Sequence, residues 1–199
     1  MSKATPMTNQ RTLFAVMVTL FFIWGFITLL NDLLIPILKA KLHLSYAEAM
    51  LVQFCFFATY FIMAIPSAWL VNKINYKRSI IIGLLIIAIG GLLFIPADLM
   101  LTYVVFLFAL FILATGVVML QVSANPLVTL LGSPDTASAR LTLAQGINSL
   151  GYVLAPILIG SVIVEHGLLL PYVLIAIAMV FVAIFMSLCN FHIKPVATE

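Results

Sequence analysis

The residues of this chain that can do chemistry are the few polar ones set inside long apolar runs: one carboxylate and a set of amides. Asp32 stands in the run from Leu13 to Ile37, with Asn31 before it and Pro36 shortly after. A charged Asp at the centre of a membrane helix costs about 2.5 to 3.5 kcal/mol, so it belongs against protein or water rather than lipid. Held out of water it is a candidate proton carrier; the other reading is an interfacial Asp that helix tilt leaves solvated. Gln121 and Asn125, at i and i+4, share one helix face, with Pro126 next. Gln145 and Asn148, at i and i+3, form a second stripe that Tyr152 extends by one turn. An amide offers donors and acceptors, and a sugar hydroxyl requires both, so convergent amides suit a neutral polyol. The competing reading is interhelical bonding, worth roughly 0.6 to 2 kcal/mol per amide. Four amides on two adjacent spans favour a cavity, and Asn31 joins them as a candidate sugar contact. Trp24 and Tyr60 could stack on a sugar ring, with Gln53 on the same face as Tyr60, but membrane aromatics are first of all packing and interface anchors.

The elements that must position these residues follow from composition. Of 199 residues, 65% are hydrophobic and only 8% charged, against about 25% charged in a soluble domain. A span takes about 20 apolar residues. The charged punctuation marks out six: Leu13 to Ile37, Ala49 to Val71, Ser79 to Pro96, Tyr103 to Leu131, Leu143 to Val164 and Leu168 to Cys189. Barrel-type alternation is absent, so each span satisfies its backbone as a helix. The expected fold is an all-α membrane domain over 13–189, with polar tails at 1–12 and 190–199. The first apolar run is too long for a secretory leader and carries no small-residue cleavage pattern, so it reads as a retained helix. Glycines at helix-packing spacing, Gly83 with Gly90 and Gly151 near Ala155, read as close-approach points. Pro36, Pro66, Pro126 and Pro156 lie in or at the end of four spans, where each removes a backbone hydrogen bond. Cys55 and Cys189 show neither disulfide nor metal spacing.

Lys and Arg orient the bundle. With the amino terminus inside, Lys3, Arg11, Lys73, Lys77, Arg78, Arg140 and Lys194 fall on one side and only Lys39 and Lys41 on the other. This asymmetry predicts a multi-pass protein of the cytoplasmic (inner) membrane with both termini cytoplasmic. It also accounts for the net charge of +3, so the lipid bilayer is the implied partner and nucleic acid is not.

Three stretches carry a family resemblance: 24–36 (Trp-Gly-Phe-Ile-Thr-Leu-Leu-Asn-Asp-Leu-Leu-Ile-Pro), 123–126 (Ser-Ala-Asn-Pro) and 140–151, from Arg140-Leu141-Thr142-Leu143-Ala144-Gln145 to Asn148-Ser149-Leu150-Gly151. In order and spacing the chain resembles the fucose:proton symporter family of the major facilitator superfamily, which includes glucose/galactose transporters. The resemblance implies that Asp32 handles the coupling ion, H⁺ or Na⁺, and that Gln145 and Asn148 line a sugar site. At Gln121 the fucose permeases have a second glutamate. Gln cannot carry a proton, so a two-carboxylate scheme does not transfer, and the implied substrate moves toward hexoses or amino sugars. The superfamily's loop signature after the second span is degraded here to Ala68-Trp69-Leu70-Val71-Asn72-Lys73-Ile74-Asn75-Tyr76-Lys77, without its Asp. The resemblance further implies one amino-terminal half, a 3+3 inverted repeat, of a twelve-helix permease that works by rocking two halves around a central site. The implied partner is a carboxy-terminal half or a second copy; a truncated fragment or non-transporting subunit is the alternative.

Other classes fit less well. An intramembrane hydrolase needs a base near its nucleophile, but His43, His166 and His192 sit outside the expected spans and no Gly-x-Ser-x-Gly turn occurs. No potassium-channel filter sequence or Arg repeat points to a channel. No resident cofactor is expected.

Overall fold

The structure, a computed structural model, describes residues 7–167 and 169–188. Six α-helices account for nearly all of them: α1 Met7–Lys41, α2 Tyr46–Ile74, α3 Tyr76–Met100, α4 Tyr103–Leu130, α5 Ala137–His166 and α6 Leu169–Leu188. All six are long and apolar enough to cross a membrane, and each contains most of one expected span. The helices run past the apolar stretches that announced them. α1 begins at Met7, inside the segment expected as a tail, and α5 begins at Ala137 rather than near Leu143. Hydropathy falls off where a helix enters the headgroup zone, but its backbone hydrogen bonds continue. Glu48, Asp98 and Glu165 are thereby drawn into helices, each within the end turn, so Asp32 is the one carboxylate among the described residues placed well inside a helix. Cys189 and His192 lie outside the described residues.

Local chemistry sets the turns. Ser45 and Glu48 form a capping box at the start of α2: Ser45 Oγ accepts from the Glu48 N–H at 3.3 Å, and the Ser45 N–H donates to Glu48 Oε2 at 2.8 Å. Asn75 alone joins α2 to α3. It takes φ 82° and ψ 163°, outside the left-handed helical region that Asn ordinarily visits, and its side chain accepts from the Arg78 N–H at 3.2 Å. Pro134–Thr136 form a short 3₁₀ turn before α5.

The main packing follows chain order only between α3 and α4. α3 packs mainly on α4 and α6, α1 on α5, and α2 on α4. Hydrocarbon offers no hydrophobic force to join apolar helices, so close approach and van der Waals contact must. The expected small-residue positions are where the backbones meet: Gly83 and Gly116 face one another between α3 and α4, Gly90 abuts Leu113, and Gly151 abuts Phe22 of α1. The buried Phe94 and Tyr172 rings stack 3.9 Å apart at 9°, fastening α3 to α6. α2 and α5 differ from the rest. They are the least apolar spans, with mean hydropathy 1.8 and 1.4, and only 22% of each apolar stretch is buried. Phe54, Phe61 and Ile65 on α2 and Val153 and Ile157 on α5 are largely exposed, so both helices present an uncovered apolar face.

Candidate functional site

A cavity of about 460 Å³ opens among α1, α2, α4 and α5, within the range of small-ligand sites. α1 supplies Trp24 and Thr28, one turn apart, and the Thr28 hydroxyl donates to the Trp24 carbonyl at 3.0 Å. α2 supplies Phe56, Phe57 and Tyr60, whose rings lie 5.2 to 6.1 Å apart. α4 adds Gln121, and α5 adds Asn148, Ser149, Tyr152 and Val153. The wall thus combines aromatic rings with two amides and a few hydroxyls.

Hydrogen bonds across helix pairs fix the polar groups. Gln121 Nε2 donates to the Tyr60 hydroxyl at 2.9 Å, joining α4 to α2. Asn148 Nδ2 donates to the Phe21 carbonyl at 2.8 Å, joining α5 to α1. The Tyr152 hydroxyl donates to Asp32 Oδ2 at 2.5 Å, a second α5–α1 bond. A phenol bonded to a carboxylate is charge-assisted and correspondingly short.

The structure separates the expected site residues into two groups. Gln121 and Asn148 line the cavity; Asp32, half-buried, is not on its wall but bonds Tyr152, which is. Asn125 and Gln145 turn to each other, Gln145 Nε2 donating to Asn125 Oδ1 at 3.4 Å. Asn31 is 2% exposed and donates to Gln53 Oε1 of α2 at 3.3 Å, and its own Oδ1 has no partner among the described residues. None of these three is on the cavity wall. Trp24 and Tyr60, expected first of all as packing aromatics, both line it. Sequence reasoning passed over Thr28, Phe56, Phe57, Ser149 and Val153. For two of them a signal existed: Thr28 lies midway between Trp24 and Asp32 at helical spacing, and Ser149 follows Asn148.

No group of three or more His, Cys, Asp or Glu side chains that could hold a metal ion occurs among the described residues.

Residues 11–198 match the family model described as Major Facilitator Superfamily. The chain is similar to a protein named glucose/galactose transporter from Brucella abortus biovar 1 (strain 9-941), 49% identical over 181 residues, covering 85% of this chain and 44% of that one. The protein named L-fucose-proton symporter of Escherichia coli (strain K12) is 40% identical over 153 residues, 77% of this chain and 35% of its own. Among solved structures, the fold matches the E. coli fucose:proton symporter FucP with TM-score 0.77 at 33% identity, over 93% of this chain and 50% of that chain. It also matches FucP in the outward conformation with TM-score 0.81 at 34% identity. The chain spans between 35% and 51% of the length of each of these relatives.

Proposed function

The chain belongs to the major facilitator superfamily, whose members are transporters rather than enzymes, and we propose that it forms a six-helix half of a cation-coupled monosaccharide symporter. The observation that carries this reading is the cavity among α1, α2, α4 and α5, where Gln121 and Asn148 offer amides and Trp24 and Tyr60 offer rings. Sugars present hydroxyls around an apolar C–H face, and this wall answers both. Gln121 and Asn148 would bond sugar hydroxyls, Trp24 and Tyr60 would pack on the ring, and Asp32 would carry the coupling ion, H⁺ or Na⁺. Asn31, Asn125 and Gln145 would set the geometry of the helices rather than touch sugar. Gln121, where the fucose permeases carry a glutamate, supports a substrate such as D-glucose, D-galactose or an amino sugar over L-fucose. The uncovered faces of α2 and α5 flank this cavity and would receive a second six-helix unit, a carboxy-terminal half or another copy. The Lys and Arg distribution supports an inner-membrane location with both termini cytoplasmic.

The test is equilibrium binding of labelled D-galactose, D-glucose and L-fucose to the chain in lipid nanodiscs. Replacement Asn148→Ala or Gln121→Leu should weaken hexose binding about ten-fold or more, while Gly146→Ala on the uncovered side leaves it unchanged. Saturable hexose binding that both cavity substitutions leave untouched would overturn the site; no binding of any of the three sugars would overturn the substrate class.

A further inference from the structure

Asp32 does not itself line the cavity, yet one side chain touches both. Tyr152 donates its hydroxyl to Asp32 Oδ2 at 2.5 Å, and the same residue, 39% exposed, lies on the cavity wall beside Asn148 and Ser149. Its main chain is held in place. Gly151, next in the chain, is pressed against the Phe22 carbonyl, Gly25 is pressed against the Asn148 carbonyl, and Asn148 Nδ2 bonds the Phe21 carbonyl at 2.8 Å. With α1 and α5 locked backbone to backbone on one side of it, the main-chain positions of Tyr152 and Asp32 are fixed relative to one another, within reach of this bond.

Resting on the reading of the cavity as a sugar site, we propose that Tyr152 is the positioning residue that presents the ionic state of Asp32 to the sugar. A carboxylate can only accept, so while Asp32 is ionised the Tyr152 O–H is committed to it. The phenol then offers the cavity only its oxygen lone pairs, as an acceptor. When Asp32 Oδ2 takes up a proton from solution, that oxygen becomes a donor and the bond reverses: Asp32 O–H donates to the Tyr152 oxygen. The Tyr152 O–H is released and turns to the cavity as a donor. One proton enters and none is created or lost, but the wall changes from acceptor to donor at a fixed point. A bound Na⁺ that occupies the carboxylate oxygens would release the same O–H. The ion and the sugar thus communicate through one hydroxyl, with no need for direct contact.

Two readouts test this on the whole chain in lipid nanodiscs. The first is the infrared C–O stretch of Tyr152, identified as the band that Tyr152→Phe removes; its frequency distinguishes a donating from an accepting phenol. Asp32→Asn replaces the charged acceptor with a neutral amide, which either accepts more weakly through its oxygen or donates through its N–H, and both should move this band. The second is D-galactose affinity. Asp32→Asn should change it about ten-fold, the scale of one hydrogen bond, and on the Tyr152→Phe background the same replacement should change it less than about two-fold. A purely structural tyrosine would leave the Asp32→Asn effect intact on that background, which overturns the proposal, as does a Tyr152 band that Asp32→Asn does not move. If the band moves but none of the three sugars binds, the sugar reading fails while the Asp32–Tyr152 link stands. Tyr152→Phe keeps the ring on the wall, and its unfolding temperature shows whether the bundle has survived the change.

Discussion

Gly25 of α1 and Asn148 of α5 meet main chain to main chain, and the place a β-carbon on Gly25 would take is already held by the Asn148 carbonyl oxygen. Gly151 stands in the same relation to Phe22 on the opposite side of the crossing. The obstacle in both cases is backbone, which cannot rotate away. Gly25→Ala and Gly151→Ala should each destabilise the bundle by about 1 to 3 kcal/mol, as overpacking does. Gly146 has nothing near its would-be β-carbon, so Gly146→Ala should be neutral or stabilising by up to about 1 kcal/mol. Thermal unfolding in a mild detergent compares the three; equal effects would sink the account.

The Gln121–Tyr60 bond ties α4 to α2 at the cavity wall. Gln121→Leu and Tyr60→Phe should each lower stability, and the double variant should recover a coupling of about 1 kcal/mol. A double-mutant cycle on unfolding free energy reads this directly, and strict additivity would deny the bond.

Arg140, in the first turn of α5, ties that helix to the end of α4 and the loop between them. Its guanidinium donates to the carbonyls of Val128 at 3.1 Å, Thr129 at 2.6 Å and Ser133 at 3.0 Å, and to the Thr136 hydroxyl at 2.6 Å. Those carbonyls belong to the last turn of α4 and the loop beyond it, where no intrahelical donor remains. Arg140→Ala should cost about 2 to 3 kcal/mol and Arg140→Lys should restore less than half, since an ammonium lacks the planar fork. Faster proteolytic cleavage of the loop at 131–136 would accompany the loss; unchanged cleavage in Arg140→Ala would count against it.

Tyr172 is fully buried, and its hydroxyl finds no partner among the described residues. Replacement Tyr172→Phe keeps the stack on Phe94 and removes an unsatisfied polar atom. It should raise stability by about 1 to 3 kcal/mol, measured as a higher unfolding temperature. A lower one would mean that the hydroxyl is bonded after all.

The number and rough limits of the spans were legible because charges interrupt the apolar runs at every turn, from Lys39 and Lys41 to Arg140. The true start of α5 was not, since Ser138, Arg140 and Thr142 look like loop to a hydropathy reading while helical hydrogen bonding runs through them. Among the candidate site residues, helical period grouped Gln121 with Asn125 and Gln145 with Asn148 on shared faces, and of these Gln121 and Asn148 line the cavity. It could not say which neighbour each face meets, so Gln145 and Asn125 turned out to bond one another and Asn31 turned out to bond Gln53. That Trp24 and Tyr60 line the cavity was not legible for the same reason: an aromatic in a span looks alike on the lipid side and on the cavity side.

The α1–α5 crossing also bears on biogenesis. Asp32 and its partner Tyr152 are 120 residues apart in the chain, and synthesis delivers them in that order. During elongation α1 enters the membrane long before α5 exists, so its polar stripe must be sheltered by the insertion machinery or by transient neighbours. Asn31 can be met early by Gln53 of α2, but Asp32 waits for the fifth helix. Ribosome stalling placed before α5 should therefore leave α1 extractable or held at the insertion site, and release into lipid should follow the arrival of Gly151 and Tyr152.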